Sequence, residues 1–261
     1  MNKYLQIIDN FINKMGYRNN IHYLGTYFYG SSLTGFNNKN SDIDLHIIFD
    51  NSDIKHIYRG ICSMDGIKIE YFEKNINDLY LSVRNDIKER NGSWYSMIGT
   101  SKIIDDQTSE LKELQQYTLK VYKKGLPKME EQDIMEYIAI INNRMEKLRL
   151  LYMNEEPSFY SLYYITIEKI RRFYHSINGF PKINTSKIYK VYKNDDYRKT
   201  YFPGNFVSDD FKNMYFNLIE TTSRDKKELF DNLEKFYLYV KAGRELPKYN
   251  YKIKIKSRNL K

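Results

Sequence analysis

The chain has 261 residues, of which 41% are hydrophobic, so it can bury the core of one large domain or of two smaller ones. Its net charge of +9 would attract polyanions, but most of the lysines are dispersed along the chain. This dispersal does not favour a nucleic-acid partner, because such partners require basic and aromatic residues gathered on one surface.

The cysteine and histidine content limits the kinds of cross-link and metal site that the chain can contain. Cys62 is the only cysteine, which excludes an internal disulfide framework and suggests a reducing, cytoplasmic location. Four scattered histidines do not favour a zinc site. No apolar run approaches the roughly 20 residues of a membrane span, so we expect no membrane association.

The first 125 residues predict a sheet flanked by helices. Apolar residues at helical spacing predict a first helix that ends near Gly16. Strands are predicted at residues 22–29, 42–49 and 67–72, with a short edge strand at 102–105. The remaining helices of this half are predicted at residues 77–90 and 109–123.

The second half of the chain has a helical period. Gly125-Leu126-Pro127 ends a helix and predicts a domain boundary. Beyond it, apolar stripes predict a helical bundle over residues 126–245, with loops at 178–186 and 194–205. Residues 246–261 form a basic tail. We therefore predict an α+β chain, in which a mixed sheet flanked by helices precedes a helical bundle.

Three carboxylates in the predicted strands point to a metal site. Side chains alternate between the two faces of a strand, so Asp42 and Asp44 project side by side, and Glu70 lies mid-strand with the matching phase. Adjacent like charges are unfavourable unless a cation or a proton lies between them. Mg²⁺ is the simplest such cation. His46 shares the face of Asp44, and we expect it to be a half-buried packing residue.

The turn before these carboxylates predicts a phosphate site. Gly30, Ser31 and Ser32 directly follow the first strand, and the backbone N–H groups of such a turn can hold phosphate oxygens. Turn, spacer and Asp-x-Asp pair together resemble the nucleotidyltransferase superfamily of the DNA polymerase β type. With a helical bundle behind it, the chain is most similar in architecture to the aminoglycoside- and lincosamide-adenylylating enzymes.

The resemblance implies a reaction and roles for particular residues. Two Mg²⁺ ions held by Asp42, Asp44 and Glu70 would assist the transfer of a nucleoside monophosphate from a triphosphate, ATP being favoured, to an acceptor hydroxyl, with release of pyrophosphate. Gly30, Ser31 and Ser32 would bind the triphosphate. Lys187, near a predicted helix start, would also contact it.

The general base and the acceptor stay open at this point. The base is either Glu70 or a glutamate at the start of the bundle, where Glu130, Glu131 and Glu136 are available and Glu136 is favoured by its position next to the apolar stripe. The acceptor implied by the resemblance is an aminoglycoside-type antibiotic. The alternatives are a protein-modifying adenylyltransferase of the antitoxin type and a catalytically silent nucleotide-binding module. A homodimer is also compatible with the family.

Overall fold

The computed structural model describes residues 3–37, 41–50 and 58–246. The chain forms two compact units. The first comprises the residues up to Leu126 together with Ser186–Gly204, and the second comprises Pro127–Thr185 and the residues from Asn205 onward. Most of the predicted basic tail, residues 247–261, lies outside the described residues.

The elements up to residue 124 include both strands and helices. In chain order they are α1 (Lys3–Lys14), β1 (Tyr23–Tyr29), α2 (Ser31–Thr34), β2 (Ile43–Phe49), β3 (Tyr58–Met64), β4 (Ile67–Asn75), α3 (Ile76–Lys88), α4 (Trp94–Thr100), β5 (Lys102–Asp106) and α5 (Glu110–Lys124). The described residues after them are helical or irregular, with the helices α6 (Glu131–Met153), α7 (Phe159–Asn178), α8 (Thr185–Lys193), α9 (Asp195–Tyr201), α10 (Asp209–Ile219) and α11 (Lys226–Lys241).

The five strands of the first unit form one mixed sheet in the order β3-β4-β2-β1-β5. Strands β2 and β4 are parallel, and the other neighbouring pairs are antiparallel. One face packs against α1, where Ile8 and Phe11 meet Ile43 and Leu45. The opposite face packs against α3, α4 and α5. The predicted fold class, a mixed sheet with helices followed by a helical region, is confirmed.

The alternation of side chains along β2 accounts for the two faces. Ile43, Leu45 and Ile47 belong to the core cluster on the α1 side. Asp44, His46 and Ile48 alternate with these residues and therefore project from the other face, where Ile48 belongs to the second core cluster. The strand therefore carries its carboxylate on the face opposite to α1.

Three elements differ from the sequence predictions. Strand β3 was not predicted, because its alternate residues are exposed at the sheet edge and give no apolar pattern. Helix α4 was not predicted either. The predicted loop at residues 194–205 is wrong, since α9 forms there. This helix buries none of its residues. Asn194 caps its N-terminus, and the Asn194 side chain accepts a hydrogen bond from the Tyr197 N–H.

The segment 186–204 belongs to the first unit, although we expected it within the helical bundle. Contacts with the beginning of the chain explain this grouping. The Tyr201 hydroxyl lies 2.5 Å from Thr34 Oγ1, and the Tyr197 ring packs edge-on against Phe36. The division of the chain into domains at residue 125 stays a prediction.

The second unit is built from the amphipathic helices that the sequence predicts. The buried residues of α6 recur at intervals of three and four, and they are Ile134, Ile138, Ile141, Met145 and Leu148. Helix α7 also buries Arg171 completely, and this side chain forms an ion pair with Glu168 at 2.7 Å. Among the described residues, no helix combines the length and the apolar run that crossing a bilayer requires.

Candidate active site

The turn between β1 and α2 requires glycine at its first residue. Gly30 has φ +87° and ψ −170°, a conformation that residues with a Cβ rarely adopt. A Cβ at this position would lie 2.2 Å from Asp44 Oδ2. The backbone therefore passes so close to the Asp44 carboxylate that no side chain fits between them.

The two serines of the turn have different environments. Ser32 is buried, and its hydroxyl donates a hydrogen bond of 2.6 Å to the Asp42 carbonyl oxygen, which ties the turn to the start of β2. Ser31 is half-buried and begins α2. Of the two hydroxyls, that of Ser31 is the one that stays available to a ligand, and Ser32 acts on the geometry of the turn.

The three predicted carboxylates form one cluster. Asp42 immediately precedes β2, Asp44 lies within it, and Glu70 of β4 is the direct register partner of Asp44. One carboxylate oxygen from each residue lies within 4.8 Å of the others, and all three residues are half-buried. Three hard oxygen donors at this spacing fit a magnesium-type cation.

The electrostatics of the cluster also favour a bound cation. Burial, followed by the charges of Asp42 and Glu70, raises the pKa of Asp44 from its ordinary 3.8 to about 7. Lys187 and Lys68 act in the opposite direction. A cation between the carboxylates would remove this repulsion, so the donor set fits the metal that the resemblance implies.

Two basic side chains that sequence analysis did not identify flank the carboxylates. Lys68 Nζ lies 2.9 Å from Asp42 Oδ2 and 3.8 Å from a Glu70 oxygen, and Arg59 Nη2 lies 2.7 Å from Glu70 Oε1. Lys68 precedes Glu70 by two residues on the same strand, so the sequence already predicts that the two side chains share a face. Arg59 gave no signal, because β3 itself was not predicted.

The remaining two predicted site residues lie in different units. Lys187 belongs to α8 within the first unit, and its charge lowers the pKa of Asp44. Glu136 is a half-buried residue of α6 in the second unit. The described carboxylate cluster consists of first-unit residues only, so the role of Glu136 as a base stays a prediction.

His46 packs behind the carboxylates and is more deeply buried than the half-buried position that we expected. Its ring stacks on the Tyr29 ring with the two centroids 4.7 Å apart, and the centroid of the Trp94 ring lies 5.2 Å away. Neither ring nitrogen has a hydrogen-bond partner among the described residues. Burial, together with the charge of Lys74, lowers the pKa of His46 to about 3, so the ring is neutral near pH 7.

Comparison with known proteins finds one family model that matches the part of the chain containing this cluster. Residues 23–141 match a family model described as "Nucleotidyltransferase domain". Among solved structures, the chain is similar to a nucleotidyltransferase-like protein from Exiguobacterium sibiricum, with 13% identity and a TM-score of 0.52 over 90% of this chain and 75% of that one. At this identity the likeness concerns the fold. No curated protein matches the chain significantly.

Proposed function

We propose that this chain, whose residues 23–141 match the nucleotidyltransferase family model, belongs to the nucleotidyltransferase superfamily of the DNA polymerase β type and transfers a nucleoside monophosphate from a triphosphate to a hydroxyl of a small acceptor. The observation that carries the proposal is the juxtaposition of Asp42, Asp44 and Glu70 within 4.8 Å with a glycine turn that approaches Asp44. The proposed cation site and the proposed phosphate site would thus adjoin each other.

The carboxylates are the residues that would hold Mg²⁺. When bound, the metal supplies neutralisation of the charge that develops on the entering and leaving oxygens. The protein contributes the fixed positions of Asp42, Asp44 and Glu70 on two paired strands. Because Asp44 is half-buried with a raised pKa, its carboxylate favours a cation over water as its neighbour.

The turn and Lys187 would bind the triphosphate. At Gly30 the backbone can approach phosphate oxygens without obstruction by a side chain, and the Ser31 hydroxyl and N–H can donate hydrogen bonds to them. Lys187 adds a positive charge whose effect reaches Asp44. These groups would fix the α-phosphorus next to the carboxylates and keep the pyrophosphate at the turn.

The transfer itself exchanges one bond at phosphorus for another. The acceptor hydroxyl gives up its proton to a carboxylate, its oxygen bonds to the α-phosphorus, and the bond between the α-phosphorus and the pyrophosphate breaks. We propose Glu70 as the residue that receives the proton, with Glu136 as the alternative. We propose ATP as the nucleotide. The family resemblance gives an aminoglycoside-type antibiotic as the candidate acceptor.

The test is nucleotidyl transfer by the purified full chain. With Mg²⁺ and α-labelled ATP or GTP, a panel of aminoglycosides, lincosamides and simple hydroxylated compounds should yield a labelled product and pyrophosphate. Asp44→Asn should lower kcat by at least about a thousandfold, since a charged metal ligand is lost. Asp65→Asn, an exposed carboxylate in the β3–β4 turn, is the matched control and should retain activity.

Two results would contradict the proposal. Activity of Asp44→Asn equal to that of the unmodified chain would remove the carboxylates from the reaction. Absence of any labelled product across the whole panel, with a folded protein that binds Mg²⁺ and ATP, would contradict transfer to a small acceptor.

A further inference from the structure

The order of the strands assigns the two substrates to opposite sides of the carboxylates. The phosphate turn follows β1, the carboxylates lie on β2 and β4, and β3 forms the sheet edge beyond β4. Displacement at phosphorus requires the entering and leaving oxygens to be roughly in line. With the pyrophosphate held at the β1 side, the acceptor hydroxyl therefore approaches from the side of β4 and β3.

The residues on that side share the face of the carboxylates. Ile61 of β3 is the register partner of Glu70, and Arg59 is the partner of Phe72 two residues further along β4. Directly opposed residues of antiparallel strands lie on one face, so Arg59, Ile61 and Glu70 project together. Lys68 joins them, because it precedes Glu70 by two residues. We call Arg59, Ile61 and Lys68 the acceptor-side surface.

The acceptor-side surface is accessible and carries two cations, both of which are paired with carboxylates of the cluster. Ile61 is 58% exposed, so its apolar side chain can contact a bound molecule. The side chains of Arg59 and Lys68 are 59% and 49% exposed, and each contacts a carboxylate of the cluster. An apolar centre between two cations suits a molecule that has both a hydrocarbon or sugar face and a negative charge.

We propose that the acceptor-side surface selects an acceptor that carries an anionic group, a phosphate or a carboxylate, near the hydroxyl that is modified. This inference rests on the proposed nucleotidyl transfer. A cation held by the carboxylates would neutralise Asp42 and Glu70 and leave Arg59 and Lys68 to the anionic group, with Arg59 offering the planar fork that matches two oxygens. Ile61 contacts the carbon skeleton. The same two side chains would repel a polycationic aminoglycoside, so this inference departs from the acceptor class that the family resemblance implies.

A set of probes that differ only in charge tests the proposal. Glucose, glucose 6-phosphate and glucosamine share one ring, and kanamycin represents a polycation. With the full chain, saturating Mg²⁺ and ATP, we expect kcat/KM for glucose 6-phosphate to exceed that for glucose at least tenfold. Glucosamine and kanamycin should be poorer than glucose. Equal or higher kcat/KM for the cationic probes would overturn the proposal.

Neutralising the two cations should remove the discrimination. In the double variant Arg59→Gln, Lys68→Gln, we expect KM for glucose 6-phosphate to rise at least tenfold while KM for glucose and for ATP stays within twofold. Lys88→Gln, an exposed lysine at the end of α3, is the matched control and should change none of these values. If the double variant alters only the Mg²⁺ requirement or KM for ATP, the two cations serve the carboxylates or the triphosphate and the proposal fails.

A binding measurement separates this inference from the proposed function. Calorimetric titration of the chain, loaded with Mg²⁺ and a non-hydrolysable ATP analogue, should show tighter binding of glucose 6-phosphate than of glucose, and the double variant should not distinguish them. Binding with this pattern but without any transfer would contradict the proposed function alone. Transfer to an acceptor without dependence on charge would contradict the acceptor-side surface alone.

Discussion

Replacing Asp44 by asparagine should stabilise the protein in the absence of divalent metal, although it removes activity. The pKa of Asp44 is raised from 3.8 to about 7, a shift of about 3 pKa units, by burial and by the charges of Asp42 and Glu70. Each unit corresponds to about 1.36 kcal/mol. The ionised carboxylate therefore costs the native state up to about 4 kcal/mol, and solvent access to the half-buried group reduces this to about 2 kcal/mol.

The pH dependence of this effect has a definite sign. Because the pKa of Asp44 is higher in the native state than in the unfolded state, the native state holds the proton more tightly, and stability is lost as the pH rises from about 4 to about 7. Asp44→Asn has no carboxyl to titrate. The difference in free energy of unfolding between the variant and the unmodified chain should therefore be small near pH 4 and largest above pH 7.

Urea unfolding in EDTA between pH 5 and pH 8 measures this difference. The contributions of titrating groups that both proteins share cancel when the two free energies of unfolding are subtracted. Adding Mg²⁺ should reverse the order of stability, because the cation stabilises the unmodified chain according to its affinity and the variant less. Asp65→Asn, remote from the cluster, should behave as the unmodified chain. A variant no more stable than the unmodified chain in EDTA at pH 8 would refute this account of the carboxylate cluster.

Three further substitutions test other parts of the structure. Gly30→Ala should abolish transfer and cost at least about 2 kcal/mol in urea unfolding, because the new Cβ would lie 2.2 Å from an Asp44 oxygen at a φ of +87°. Burial alone would raise the pKa of Glu168, but its ion pair with Arg171 and its hydrogen bonds hold it at about 2. Glu168→Gln should therefore cost about 3–5 kcal/mol, because Arg171 stays buried without a counter-charge, and unchanged urea stability would contradict this. His46→Phe should keep or raise stability near pH 7, where two buried nitrogens without partners are removed. Since the pKa of His46 is about 3 in the native state and 6.5 when unfolded, the unfolded state binds the proton more tightly, and the native state loses stability as the pH falls from 6.5 toward 3; the variant should lose less stability on acidification.

The part of the fold around the carboxylates could be predicted because its signals are local. Strands β1, β2 and β4 have buried residues on at least one face, and the period of two places Asp44 and Glu70 on the same side. Gly30 marks a turn directly after a strand. These features lie within a few residues of one another, so sequence alone was sufficient to bring them together.

The parts that were missed depend on the sheet edge or on contacts between distant residues. Strand β3 is half exposed, and its position beside β4 follows from pairing that local pattern does not encode. Arg59 was missed with it. Helix α9 has no buried residues of its own, and Tyr201 meets Thr34 across 167 positions of sequence. Tertiary contacts, which a local pattern does not report, decide these elements.

The return of residues 186–204 to the first unit has a consequence for the synthesis of this protein. The sheet strands have all been synthesised by residue 106, but the helix that contacts α2 ends at Tyr201. Nearly a hundred residues must be added before the first unit can be completed. The intervening residues 127–185 then form a long loop between its two segments, and closing that loop costs conformational entropy. Until then, the side chains around Thr34 and Phe36 lack their contacts with α9. A chain that is arrested or cleaved after Leu126 would therefore leave these side chains accessible to chaperones and proteases.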